Sequence, residues 1–106
     1  KRAMSEYIAP LKDMRFVMQE LAGLDQVVAL PGCEEATPDV VDAILEEAAK
    51  FAGAVLSPLN RVGDTNGAKW KDTVVTTTPG FKEAYRQFVD NGWNGLGCDP
   101  EFGGQG

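Results

Sequence analysis

The chain has 106 residues, of which 43% are hydrophobic and 25% charged, and its ten basic and sixteen acidic residues leave a net charge of -6 with no histidine. That balance argues against a nucleic-acid or anionic-membrane partner unless a basic face is segregated, and the lack of histidine removes the usual activator of a serine or cysteine nucleophile. The length allows one domain that buries roughly 65% of its unfolded surface, with no apolar run of about 18 residues to span a membrane and no signal-peptide core after Lys1-Arg2.

The one basic cluster, Lys1, Arg2, Lys12 and Arg15, is diluted by Glu6 and Asp13. Cys33 and Cys98 lack the framework of a secreted scaffold and read as free thiols in a reducing compartment, which places the chain in the cytoplasm. Without histidine or a closely spaced cysteine pair, no structural zinc site is expected.

In chain order, Leu11, Met14, Val17, Met18 and Leu21 recur at three- and four-residue steps, which predicts an amphipathic helix over 11–22 that stops at Gly23. Residues 24–30 read as a short helix ended by Pro31-Gly32. Thr37-Pro38-Asp39 is a helix start: the hydroxyl caps free amides, proline suits the first position, and Asp39 and Asp42 favour the positive end of the dipole. Val41, Ile44, Leu45, Ala48, Phe51, Ala52, Val55 and Leu56 then keep one apolar stripe, with Glu46 and Lys50 read as an i,i+4 pair on the other side. Pro58 implies that this helix stops near Leu56 or kinks there.

From Arg61 to Lys71 the composition turns to Gly63, Asp64, Asn66 and Gly67 and reads as an exposed loop. Residues 73–77 are β-branched and read as an extended connection or a hairpin arm, since a lone strand has no partner. Thr78-Pro79 repeats the cap-and-proline start. Phe81, Ala84, Tyr85, Phe88 and Val89 then mark a last helix that closes at Asp90-Asn91-Gly92. The expected fold is all-α, a small helical bundle of three to four helices with a short extended segment near 73–77.

Few residues suggest chemistry. Glu46 and Glu47 are neighbours about 100° apart on a helix, so they cannot converge on one atom and read as a solvated face. Glu34 and Glu35 read as favouring the amino end of the helix at Thr37. Ser5, Ser57, Cys33 and Cys98 have no histidine to activate them. The glycine-rich tail lacks the spacing and lysine of a phosphate loop and reads as a tight turn. Tyr7, Trp70 and Trp93 suit a cofactor pocket in principle, but aromatics near element ends are more often core or interface residues. No catalytic, cofactor-binding or metal residue is nominated.

Two stretches carry a resemblance. Tyr7-Ile8-Ala9-Pro10-Leu11-Lys12-Asp13-Met14-Arg15-Phe16, and Gly92-Trp93-Asn94-Gly95-Leu96 followed by Pro100-Glu101-Phe102-Gly103-Gly104-Gln105-Gly106, resemble the amino-terminal helical domain of acyl-CoA dehydrogenases. The likeness is to the subgroup of bacterial long-chain-type and 3-methylmercaptopropionyl-CoA dehydrogenases. It implies that residues 1–106 are the amino-terminal piece of a flavoenzyme in which FAD takes a hydride from the β-carbon of an acyl-CoA substrate and a glutamate removes the α-proton. The flavin-binding β-domain and the carboxyl-terminal bundle, which carry the flavin and that glutamate, lie outside the chain, so no family catalytic residue maps onto it, Glu101 included.

The run from Gly92 to Gly106 suits this view, because glycine loses much backbone freedom on ordering and such a run is expected to be held by further chain beyond it. The partners implied are the remaining domains of the same polypeptide, with no nucleic acid and no membrane. No cofactor is expected on the chain itself. Apolar surface at Trp93, Leu96 and Phe102 is expected to be left uncovered and available for homo-oligomer contacts. The alternative is a freestanding helical interaction module that uses the 81–89 helix or the acidic 39–47 face.

Overall fold

The computed structural model describes residues 6–106, so the expectations for Lys1, Arg2 and Ser5 lie outside the described residues. The chain divides into two compact units, Lys1–Gly53 and Ala54–Gly106.

In the first unit, α1 (Leu11–Phe16) runs directly into a π turn, Val17–Leu21, where the Ala22 amide reaches back five residues to the Val17 carbonyl at 2.8 Å. The wider turn breaks the 3.6-residue period that defines the predicted stripe. Val17 and Leu21 accordingly stand 49% and 71% exposed. Gly23, at φ 71°, ends this helix in the left-handed region that glycine adopts without penalty, and α2 (Leu24–Val28) comes next, as the sequence predicts. α3 (Pro38–Phe51) starts as expected: Thr37 Oγ1 accepts from the Val40 amide at 3.3 Å and Pro38 takes the first position. Its stripe residues Val41, Ile44, Leu45 and Ala48 are half-buried.

A π turn, Ala52–Leu56, succeeds α3, and α4 spans Ser57–Asn66 with Pro58 in its first turn. Pro58 therefore neither stops the helical path nor stands in an α-helical interior. A proline there would strike the carbonyl four residues back, and the change of hydrogen-bond pattern just ahead of it removes that conflict. The loop reading of residues 61–71 is corrected: 61–66 are helical. The extended segment has a partner after all. β1 (Lys69–Lys71) and β2 (Val74–Thr76) form an antiparallel hairpin with Trp70 opposite Val75. Its two-residue turn, Asp72-Thr73, has φ of 50° and 67°.

α5 (Phe81–Asp90) begins differently from the prediction, because Gly80 at φ 93° precedes it and no side chain caps it. Thr78 is buried, and its hydroxyl donates to the Gly67 carbonyl at 3.2 Å instead of capping the helix. The α5 carboxyl end agrees with the prediction, with the Gly92 amide bonded to the Val89 carbonyl and Gly92 at φ 80°. Two 3₁₀ turns, Trp93–Gly95 and Pro100–Phe102, complete a mostly helical domain with one small hairpin. Among the described residues only Ala84 and Thr78 are buried.

Candidate functional site

The first unit holds an ion-pair node. Asp42 and Glu46 lie one turn apart on α3, and both accept from the guanidinium of Arg15 on α1, Nε to Asp42 Oδ1 and Nη2 to Glu46 Oε1. The bond to Asp42 first, and that to Glu46 second, raise the Arg15 pKa above its ordinary value. Arg15 thus leaves the basic cluster and becomes the tie between two helices. Glu46 is taken, so the expected Glu46–Lys50 pair gives way to Lys50 with Glu47 at 2.7 Å, an i,i+3 contact that raises the Lys50 pKa. The two adjacent glutamates diverge, as the helical angle requires.

Glu34 also departs from its expected part. Hydrogen bonds from its own amide and then from the Gly32 amide, the latter at 3.1 Å, hold its carboxyl below the ordinary glutamate pKa. The carboxylate therefore closes the Pro31-Gly32 turn, where free amides are within reach, before it can serve the start of α3.

In the second unit, α4 and α5 flank an open groove of about 1030 Å³ lined chiefly by Leu56, Leu59, Phe81, Ala84, Tyr85 and Phe88, with Asp64 and Lys82 as its charged groups. Two glycines set the spacing. A Cβ on Gly63 would lie 2.6 Å from Phe81 Cζ, and one on Gly80 would lie 2.7 Å from Leu59 Cδ2. Tyr85 stacks on Phe88 with ring centroids 6.4 Å apart, yet Tyr85 is 67% exposed. The lining is mainly apolar, the surface character on which an apolar group docks.

Tyr7 and Trp70 are exposed and Trp93 is half-buried, and none of the three lines this groove. Cys33 is half-buried and Cys98 exposed, both as free thiols. Among the described residues no three His, Cys, Asp or Glu side chains come together as metal ligands, and no helix is long and apolar enough to cross a membrane.

The tail forms a third feature and takes up the tight turns read from its sequence. Several hydrogen bonds run within it. Asp99 Oδ1 accepts from the Glu101 amide at 2.8 Å, the Gly104 amide bonds to the Asp99 carbonyl, and the Gly106 amide reaches the Cys98 carbonyl at 2.8 Å. Glu101 serves the loop through its backbone. Asp99-Pro100 repeats the cap-and-proline pattern of Thr37-Pro38, a signal present in the sequence. Of the three apolar residues expected to stand uncovered, Phe102 is 83% exposed, while Trp93 and Leu96 are half-buried.

These features define a small, mostly helical domain that presents apolar surface. Over 100 residues, 94% of its length, the chain is 41% identical to 3-methylmercaptopropionyl-CoA dehydrogenase from Ruegeria pomeroyi. That relative is an acyl-CoA dehydrogenase, which bears out the resemblance carried by residues 7–16, 92–96 and 100–106. The chain spans 17% of the relative's length. No family model matches the chain.

Proposed function

We propose that this chain is the amino-terminal helical domain of a cytoplasmic, flavin-dependent acyl-CoA dehydrogenase and serves as a scaffold for chemistry carried out by the rest of that polypeptide. The observation that carries this reading is the identity along almost the whole chain to an acyl-CoA dehydrogenase about six times as long. The exposed apolar side chains of both units support it, since a domain built to be covered leaves such surface when it stands alone.

In the parent enzyme, bound FAD supplies the hydride acceptor for α,β-dehydrogenation of an acyl-CoA thioester. The α4/α5 groove does not fit a flavin: it is lined mainly by carbon, and no buried side-chain nitrogen or oxygen among the described residues is left without a partner. No residue of this chain is assigned to the cofactor or to proton removal. Its part is mechanical, with Arg15 fastening α1 to α3 and the α4/α5 face offering apolar area to neighbouring domains.

The test is direct. The purified 106-residue chain mixed with FAD is expected to stay colourless after gel filtration and to convert no acyl-CoA, whereas the longer polypeptide carries flavin and dehydrogenates. A yellow, active protein recovered from the short chain overturns the proposal.

A further inference from the structure

Within the second unit, the segment from Cys98 to Gly106 is more tightly specified than its composition suggests. Gly104 admits no side chain, since a Cβ would collide with the Cys98 carbonyl, and Gly103 turns at φ 88°. The Asp99 carboxylate and three backbone bonds, from the amides of Gly103, Gly104 and Gly106, close the loop on itself. Ordering several glycines and their neighbours in this way is costly in backbone entropy. Here its one aromatic, Phe102, is left 83% exposed.

A rigid loop that holds a bare aromatic ring outward has the form of an interface anchor: the ring loses little freedom on docking because its backbone is already fixed, and central aromatic anchors carry much of the energy of such contacts. We propose that the Asp99–Gly104 loop is a preformed anchor that seats Phe102 in an apolar pocket on the remainder of the longer acyl-CoA dehydrogenase polypeptide. The inference rests on the function proposed above. The similarity points to this occupant: the chain spans 17% of the relative's length, which leaves most of such a polypeptide to supply the pocket.

The test compares one substitution in two settings. In the 106-residue chain, Phe102→Ala is expected to shift the thermal midpoint by less than about 1 °C, because an exposed ring has little to lose. In the longer polypeptide the same change is expected to lower it by roughly 3 °C or more, and Phe102→Leu to recover part of that loss. Hydroxyl-radical labelling supplies a readout independent of stability, with Phe102 labelling strongly in the short chain and weakly in the long one. Equal labelling in both settings, or an equally small effect of Phe102→Ala in both, overturns the anchor while leaving the proposed enzyme intact. A long polypeptide that contains this segment but neither binds flavin nor dehydrogenates an acyl-CoA overturns the underlying reading instead.

Discussion

Arg15 and Glu34 show how single charged side chains settle their own roles by what lies within reach. Arg15 has a planar fork of donors, and two carboxylates one turn apart on α3 match it better than the neighbouring acids in sequence would. Glu34 has the shorter reach and takes the nearest free amides, its own and that of Gly32. Its lowered pKa fixes the sign of a pH effect. A carboxyl whose folded pKa lies below the ordinary 4.5 stabilises the turn fully above that value and ceases to do so as pH falls through the folded value. The Gly32 amide resonance is therefore expected to titrate below pH 4.5 in the native chain and to lose that transition in Glu34→Ala. A transition centred at or above 4.5 would contradict the assignment. The effect is local and small, because the group is exposed.

At the scale of elements, the β1–β2 hairpin carries the clearest internal conflict. A two-residue turn of this hand needs both central residues at positive φ, where Asp-Gly is favoured and a β-branched residue is disfavoured. Thr73 occupies the second place at φ 67°. Replacing it by glycine is expected to stabilise the hairpin by about 0.5–1 kcal/mol, the relief of left-handed strain exceeding the added chain entropy. The check is the amide exchange of Lys69 to Thr76, which should slow in Thr73→Gly; faster exchange would mean that the turn is not strained as described. The same elements show what the sequence discloses and what it hides. α3 is legible because its cap, its proline and its apolar stripe agree. The end of α4 is not, because Gly63, Asp64 and Asn66 look like loop residues. Gly63 leaves room there for the Phe81 ring, which a Cβ would meet at 2.6 Å, a closeness between residues 18 apart that local composition does not reveal. β1 is hidden because Lys-Trp-Lys has weak strand character apart from its tryptophan, and the strand is defined by pairing with Val74–Thr76. At the candidate site, the turn and the uncovered Phe102 are legible from the glycines and Asp99-Pro100, while the particular backbone bonds that close the loop, such as Gly106 to the Cys98 carbonyl, are not, since they join groups that composition does not pair.

At the scale of the chain, each unit keeps large apolar side chains in water. Ile8 is 84% exposed and Leu21 71% in the first unit, and Trp70 and Tyr85 are 71% and 67% exposed in the second. Isolated exposed residues of this kind are ordinary, but here the described residues offset them with almost no fully buried apolar side chain. Burial of apolar area is the main force that stabilises a fold, at roughly 25 cal/mol per Å², so a chain that leaves it unused is expected to gain stability by finding cover. The isolated chain should therefore bind a hydrophobic dye with a marked rise in fluorescence, and its apparent mass in sedimentation should grow with concentration. On the proposed reading the longer polypeptide should do neither at the same molar concentration, because further domains would cover those faces. A short chain that sediments as a strict monomer and ignores the dye would show that the exposed rings need no partner, and the scaffold role would then lose its physical basis.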